Sequence, residues 1–236
     1  MNKRLPPRKA VLDLEHLNRS AYRVPITIVD YGLGNIFSVA KAFEHFGAEV
    51  HLASDAQAIE SAQQLVLPGV GAFAQGMAGL QERGLVEPIR RYAASYDRPL
   101  MGICLGMQLL LSHGSEFGSH AGLGIIPGTV ELIEPRLGDK PLKVPHIGWA
   151  TLVKPPGINW DGTAFDGIPE GSEAYFVHSF AAIPDDEADL FATANYGDTP
   201  VCAAVRRGAV IGCQFHPEKS GAVGLRMIQN FLSIQS

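Results

Sequence analysis

Met101-Gly102-Ile103-Cys104-Leu105-Gly106-Met107-Gln108 is the stretch that decides the fold. An apolar strand runs directly into a helix, with Gly-x-Cys-x-Gly at the junction. This is the thiol form of a nucleophile elbow, a strained turn that raises a side chain above the edge of a sheet. It predicts that no Cβ fits at Gly102 or Gly106, that the helix N-terminus favours the thiolate, and that the Leu105 amide faces an oxyanion. A buried structural cysteine is the alternative, because free cysteines are commonly buried.

On both sides of this junction, short apolar runs alternate with amphipathic segments, which is typical of an α/β sheet. The first half indicates a parallel, doubly wound arrangement. The later runs are separated by turn residues, and Arg206-Arg207-Gly208 predicts a hairpin between the last two, so the whole sheet is predicted to be mixed. Strands are predicted at 26–29, 50–52, 65–67 (ended by Pro68), 99–103, 129–133, 174–180, 201–205 and 210–215, helices at 36–46, 80–94, 105–112 and 223–234, and a surface loop at 154–171.

The charge of the 236-residue chain is unevenly distributed. The net charge is −5, but residues 1–24 carry six basic and two acidic side chains, so the remainder is strongly acidic. We interpret 1–24 as a basic N-terminal extension and 25–236 as one domain. An acidic body is a poor nucleic-acid binder. No apolar run approaches the ~20 residues of a membrane span, and no signal-peptide core is recognisable, so we expect a cytoplasmic protein without membrane contact.

Neither a metal nor a cofactor is expected from the spacing of ligand residues. Cys104, Cys202 and Cys213 form no CxxC pair, and the eight histidines form no H-x₃-H pair. Gly32-Leu33-Gly34-Asn35 opens a helix but lacks the third glycine of a dinucleotide fingerprint. A short loop that satisfies backbone amides is the simpler interpretation.

A base for the cysteine is offered by Gln214-Phe215-His216-Pro217-Glu218-Lys219-Ser220, at the end of a strand-like run. His216 and Glu218 are two residues apart, so in extended backbone both side chains point to the same side. Glu218 can then orient the imidazole while His216 takes the proton from Cys104. A polar loop histidine without a role is the alternative.

The segment Leu65-Val66-Leu67-Pro68-Gly69-Val70-Gly71-Ala72-Phe73 is a buried strand that breaks into a glycine-rich loop. Its backbone amides are available to a ligand, and a second oxyanion donor is one role for them. A phosphate cradle is the rival, although no lysine follows and the spacing is not that of a P-loop. An ordinary tight turn also accounts for the pattern.

The elbow and the late His-Pro-Glu-Lys-Ser resemble class I (triad-type) glutamine amidotransferases. A narrower resemblance, from residue 26 to the C-terminus, is to the glutaminase subunits of imidazole glycerol phosphate synthase, an enzyme of histidine biosynthesis. The resemblance implies a three-layer, flavodoxin-like α/β fold with a mixed, mostly parallel central sheet. The narrower match rests on Asp30-Tyr31-Gly32-Leu33-Gly34-Asn35, Pro68-Gly69-Val70-Gly71, Pro145-His146-Ile147-Gly148-Trp149, Tyr175-Phe176-Val177-His178-Ser179-Phe180 and 214–220.

The resemblance also implies a reaction and its residues. Cys104 attacks the side-chain amide of L-glutamine, ammonia leaves, and water releases glutamate from a thioester, with His216 as base and then acid and Glu218 orienting it. The oxyanion hole would be formed by Gly69, Val70, Gly71 and Leu105. The substrate would be bound by Gln108, His178, Ser179 and Phe180.

In the family, ammonia passes through a tunnel to a separate (β/α)₈-barrel cyclase, which makes imidazole glycerol phosphate and a purine precursor. No such barrel is encoded here, so the resemblance implies a heterodimer. Asn35, Trp149, Tyr175 and Lys219 lie in motifs that resemble the partner-facing surface. We also hypothesise that partner binding turns an amide of the Pro68–Gly71 loop toward the oxyanion.

Two positions depart from the family pattern. Ala150 stands where Asn usually follows His-x-Gly-Trp, and Phe180 stands where Tyr is frequent. The first would remove a hydrogen-bonding side chain from the predicted interface. It admits a paralogue that supplies ammonia to another synthase, of the surface-sugar, anthranilate, aminodeoxychorismate or guanylate type. A non-catalytic regulatory subunit is a further alternative, against which the complete set of Cys104, His216 and Glu218 argues.

Overall fold

The computed structural model describes residues 25–234, so the predicted extension 1–24 lies outside the described residues. The strands are β1 (Pro25–Val29), β2 (Glu49–Ala53), β3 (Gln64–Gly69), β4 (Leu100–Cys104), β5 (His113–Gly114), β6 (His120–Ala121), β7 (Gly128–Leu132), β8 (Arg136–Leu137), β9 (Lys140–Pro141), β10 (His146–Val153), β11 (Glu173–His178), β12 (Phe180–Pro184), β13 (Leu190–Tyr196), β14 (Thr199–Arg207) and β15 (Val210–Cys213). A central sheet has the strand order β11-β10-β13-β14-β15-β4-β3-β1-β2, and a second sheet has the order β12-β7-β5-β6.

Helices cover both faces of the central sheet. The helices are α1 (Ile36–Glu44), α2 (Ala56–Glu60), α3 (Phe73–Glu82), α4 (Val86–Ala93), α5 (Leu105–Leu109) and α6 (Gly221–Ser233). Two separate apolar clusters form the core: one packs α1 and α6 against one face, and the other packs α2 to α5 against the opposite face. The predicted three-layer α/β class is therefore confirmed. No helix among residues 25–234 has the length and apolar character needed to cross a bilayer.

The predicted mixed character of the central sheet is also confirmed. Strands β2, β1, β3, β4 and β15 are parallel neighbours, whereas β14, β13, β10 and β11 continue the sheet by antiparallel pairing. Within the central sheet, four parallel pairings are matched by four antiparallel ones, so parallel pairings are not in the majority as the resemblance implied. The predicted hairpin at Arg206-Arg207-Gly208 joins β14 to β15.

Several predicted boundaries are wrong. Helix 80–94 is two helices, because Gly84 adopts φ +66° between α3 and α4. The helix predicted at 105–112 is shorter in the structure, because α5 ends at Leu109. Strand 174–180 is interrupted at Ser179, and its two parts join different sheets. Strand β3 continues through Pro68, which is tolerated because its pairing with β1 ends at Val66 and only β4 pairs with it beyond.

The segment 154–171 contains no helix or strand, as predicted, but it is not simply a surface loop. Trp160, Phe165 and Ile168 are buried in the core on the α1–α6 side. The indole N–H of Trp160 donates to the Phe191 carbonyl at 2.9 Å, which ties the segment to β13. Its Pro and Gly residues obscure this role in the sequence.

Candidate active site

Three predicted motifs converge because β15, β4 and β3 are neighbours in the sheet. Cys104 ends β4, Gly69 pairs with it at the end of β3, and the 214–220 segment follows β15. Since these strands are parallel, their carboxyl ends lie at one edge of the sheet. This edge is where open α/β sheets place ligands.

The elbow has the strained geometry that its sequence predicts. Cys104 adopts φ 53° and ψ −108°, a conformation unusual for a residue with a Cβ, and α5 begins at Leu105. A Cβ on Gly102 would lie 2.8 Å from the Met107 backbone, and one on Gly106 would collide with the Leu67 carbonyl oxygen. Both glycines are therefore required by close backbone contacts, as predicted.

Cys104, His216 and Glu218 lie together in the structure. The Glu218 carboxylate is 2.9 Å from Nδ1 of His216, and the side chains of both residues are buried. Burial lowers the pKa of His216, but hydrogen bonds with Cys104 and Glu218 and their negative charges outweigh it and raise the pKa to about 9. The imidazole is therefore held in its protonated form at neutral pH, between a sulfur and a carboxylate.

The backbone of His216 is fixed against β11. Its N–H donates to the Tyr175 carbonyl at 3.0 Å, and its carbonyl accepts from the Ser220 hydroxyl at 2.7 Å. The same hydroxyl accepts from the Tyr175 N–H at 2.9 Å. Ser220 thus links the turn that carries the histidine to the neighbouring strand.

A pocket of about 310 Å³ opens in front of Cys104. Most predicted oxyanion and substrate residues line it, and Gly69 lies behind, at the end of β3. Gln108 donates from Nε2 to the Phe180 carbonyl and to Oε1 of Gln214, both at 3.0 Å. The lining residues are Val70, Gly71, Cys104, Leu105, Gln108, Glu116, Pro145, Val177, His178, Ser179, Phe180, His216 and Lys219.

The glycine-rich loop beside the pocket is supported from beneath by the 30–35 motif. The Tyr31 hydroxyl donates to the Pro68 carbonyl at 2.8 Å, and Gly34 lies close to the Gly69 amide. Gly71 adopts φ +106°, so the loop turns where a residue with a side chain would be strained. The 30–35 motif thus helps to position the loop.

Comparison with known proteins agrees with this geometry. The family described as "Glutamine amidotransferase class-I" matches residues 27–234. The chain belongs to the class I glutamine amidotransferases. Among solved structures, PurLQS from Thermotoga maritima superposes with a TM-score of 0.65 at 20% identity, over 89% of this chain and 98% of that chain, which supports the fold.

The narrower resemblance, to the subunits of imidazole glycerol phosphate synthase, is also confirmed. "Imidazole glycerol phosphate synthase subunit HisH 1" of Legionella pneumophila (strain Lens) is 48% identical over 211 residues, 89% of this chain and 99% of the relative. "Imidazole glycerol phosphate synthase subunit HisH" of Syntrophotalea carbinolica is 47% identical over 208 residues, 87% of this chain and 98% of the relative.

Three residues of this amidotransferase site were not predicted from the sequence. Gln214 is fully buried, and its Nε2 lies 3.7 Å from Sγ of Cys104. Glu116 lines the pocket and accepts from the Phe73 N–H at 2.8 Å, at the start of α3. His146 lies 3.1 Å from His178. Gln214 and His146 stand inside recognised motifs, whereas Glu116 stands in an irregular segment whose position depends on the second sheet.

The residues predicted to face a partner lie on β10, on β11, in the turn after β15 and at the start of α1. Trp149 and Tyr175 are paired residues of β10 and β11 whose rings meet edge to face at 5.8 Å, and Trp149 is 54% exposed. Lys219 is exposed at the pocket, and the Asn35 side chain caps α1 through the Ser38 N–H. The expectation for Ala150 is wrong: this residue points inward from β10 into the core.

No metal site is apparent among residues 25–234, because no three His, Cys, Asp or Glu side chains converge there as ligands would. Cys202 and Cys213 are buried, and burial raises the pKa of both thiols, that of Cys202 to about 12. Both thiols are held in the neutral form, and Cys104 is the cysteine that lines the pocket.

Proposed function

We propose that the chain is the glutaminase subunit of an imidazole glycerol phosphate synthase. It hydrolyses L-glutamine and passes the ammonia to a (β/α)₈-barrel cyclase. The observation that carries the proposal is the strained Cys104 elbow, which lines one pocket together with His216, whose Nδ1 meets the Glu218 carboxylate at 2.9 Å. The names of the relatives reported above support the choice of this synthase.

In the proposed reaction, Sγ of Cys104 attacks the side-chain carbonyl carbon of glutamine. The proton of the thiol is held by His216, which then donates it to the leaving ammonia. Water attacks the resulting thioester, with His216 now accepting the proton, and glutamate is released. Two covalent steps are needed because an amide is a poor electrophile toward unaided water at neutral pH.

The negative charge on the carbonyl oxygen requires donors on the far side of the pocket. Leu105 supplies an amide from the start of α5, and the loop formed by Gly69, Val70 and Gly71 supplies the second from the end of β3. Such donors act in a site screened from water, where losing one costs about 10²–10³-fold in rate.

The charged end of the substrate is matched by the outer part of the pocket. Glu116 is the lining carboxylate that lies outside the triad, and it suits the ammonium group of glutamine. Ser179 and Phe180 present backbone at the junction of β11 and β12. Gln108 and His178 are both buried beneath this junction. Gln108 is suited to bind the side-chain amide of glutamine, and His178 is suited to support the pocket wall.

The acceptor of ammonia is proposed to dock over the exposed edge that carries Trp149, Tyr175, Lys219 and Asn35. On the outer face of β10 and β11, Ile147 and Val177 are also exposed, at 60% and 36%. A continuous apolar face beside the pocket fits a partner that receives a product which water would protonate.

Reconstitution tests the proposal. The chain is mixed with the cyclase and its phosphorylated nucleotide, and glutamate release is followed with and without each component. We expect weak hydrolysis by the chain alone, strong stimulation in the complex, and almost no turnover by C104S.

A glutamine-like electrophile should label Cys104, which would exclude a non-catalytic subunit. A complex that binds both substrates but releases no glutamate would contradict the proposal. Co-purification with a chorismate-using enzyme or a nucleotide synthetase would contradict the choice of acceptor.

A further inference from the structure

A chain of polar groups runs from Cys104 away from the triad and ends on β10. Nε2 of Gln214 lies 3.7 Å from Sγ of Cys104, and Oε1 of Gln214 accepts from Gln108. Gln108 also donates to the Phe180 carbonyl, which Nδ1 of His178 meets from the other side at 2.9 Å. Nε2 of His178 then faces Nδ1 of His146 at 3.1 Å. The proposed mechanism gives no role to His146.

The chemistry of the two histidines determines which ring nitrogens carry a proton. A carbonyl oxygen only accepts, so Nδ1 of His178 carries a proton. Burial, together with the neighbouring His146, lowers the pKa of His178 to about 4, so its Nε2 is unprotonated at neutral pH. The proton between the two rings therefore belongs to Nδ1 of His146, whose pKa is also lowered by burial.

The ring of His146 is packed against two aromatic rings. The ring lies parallel to those of Tyr196 and Phe176, with centroids 4.2 and 5.1 Å away. His146 and His178 are directly paired residues of β10 and β11, so the sheet holds them opposite each other. The strand pairing and the ring stacking therefore both hold Nδ1 of His146 toward His178.

His178 in turn stabilises the point in the pocket wall where the chain changes sheets. The chain leaves the central sheet after His178 and enters the second sheet at Phe180. The His178–Phe180 hydrogen bond closes this step, and it places the carbonyl that receives Gln108. Both amide hydrogens of Gln108 are then used, and its Oε1 is left as the atom that can accept from a ligand, since the described residues offer it no donor.

We propose that His146 is a positioning residue for amide recognition: through His178 and the Phe180 carbonyl, it holds Gln108 with Oε1 toward the pocket. An oxygen there accepts from the carboxamide –NH₂ of glutamine and repels the carboxylate of glutamate. The pocket thereby distinguishes substrate from product. This inference rests on the proposed function for its substrate, but the proton positions are properties of the chain alone.

Two substitutions separate the donor from the ring. H146F keeps the flat ring between Tyr196 and Phe176 and removes the donor, whereas H146N removes the ring and keeps an N–H near the place of Nδ1. H51F, at an exposed position on β2, is the matched control. With the cyclase complex, KM for glutamine, kcat and the inhibition constant of glutamate are measured for each.

We expect H146F to raise KM about 5- to 10-fold, the effect of one hydrogen bond, with kcat changed less than about twofold. The ratio of the glutamate inhibition constant to KM should fall by a similar factor, because the pocket no longer excludes a carboxylate. H146N and H51F should stay close to the wild type. Equal changes in H146F and H146N, or an unchanged ratio in H146F, would overturn the inference.

Long-range ¹H–¹⁵N spectra of ¹⁵N-histidine-labelled chain test the proton positions without any turnover. We expect His178 and His146 to be neutral and protonated on Nδ1 at neutral pH. A proton on Nε2 of His178 would overturn the inference, whatever the activity. Absence of glutamate release by the wild-type complex would instead overturn the proposed function, so the two failures are distinguishable.

Discussion

Cys104 is one of three residues other than glycine within 25–234 that adopt a positive φ, and the sequence predicts its strain through the glycines around it. Gly-x-Cys-x-Gly between an apolar strand and a helix has few interpretations. The turn that holds Cys104 at φ 53° brings the backbone so close to Gly102 and Gly106 that neither position has room for a Cβ. The pairing with His216 and Glu218 is also predictable from their order and spacing. Gln214 and Glu116 are not predictable in this way, because their roles depend on which buried polar atoms they meet.

Gly106 tests how far this strain depends on close packing. In G106A the new Cβ collides with the Leu67 carbonyl oxygen, so α5 and β3 must separate. We expect the free energy of unfolding to fall by about 3 kcal/mol or more, together with loss of Cys104 labelling. G124A is the control, since its Cβ meets open space and only its positive φ adds about 1 kcal/mol of strain. Similar denaturant midpoints for the two variants would contradict this expectation.

Glu218 determines the pH range in which His216 serves as an acid. With a pKa of about 9, the imidazole loses its proton as the pH rises through that value, and ammonia then leaves without a donor. We expect glutamine hydrolysis by the complex to fall above about pH 9. Glu218 is one of the groups that raise this pKa, so in E218Q the alkaline limb should move to lower pH and the maximum rate should fall.

The pH–rate profiles of the wild type, E218Q and E82Q, an exposed control on α3, check this expectation. An alkaline limb that is identical in all three proteins would show that Glu218 does not set the protonation of His216.

At the scale of elements, apolar periodicity predicts most strands and helices but not their interruptions. Residues 174–180 form one apolar run, yet the chain changes sheets at Ser179 because β12 pairs with β7 instead of extending β11. Residues 80–94 have a helical pattern, yet Gly84 divides them. Such breaks depend on pairings between distant segments, which a local pattern does not contain. The β11–β12 break forms one wall of the pocket.

The Pro68–Gly71 loop is the second element whose conformation matters for the reaction. We expect V70P, which lacks the backbone N–H, to reduce cyclase-stimulated turnover by about 10²-fold, the effect of losing an oxyanion donor. V70A keeps the N–H and should retain most of the stimulation. Stimulated rates and Cys104 labelling of both variants are compared with those of the wild type. Equal stimulated rates in V70P and V70A would refute a role for this amide.

At the scale of the whole molecule, β11 connects the catalytic residues with the exposed edge. Its outward side chain Tyr175 meets Trp149. Its backbone accepts one hydrogen bond from the His216 N–H and is linked to the His216 carbonyl through the Ser220 hydroxyl. The motifs identify these residues in the sequence. Which side of β10 faces outward is decided by the sheet, so the expectation that Ala150 lies at the interface is wrong. With Ala150 in the core, its departure from the family pattern no longer argues for a different acceptor.

Trp149 provides the last test, because a large exposed aromatic at the centre of an apolar face is the usual anchor of an interface. We expect W149A to raise the Kd for the cyclase at least about 10-fold, measured by calorimetry, with stimulation recovered at saturating cyclase. L137A is the matched control: Leu137 is similarly exposed, at 57%, but lies on the β8–β9 hairpin. If W149A and L137A bind the cyclase with the same affinity, the partner does not dock on the β10–β11 face.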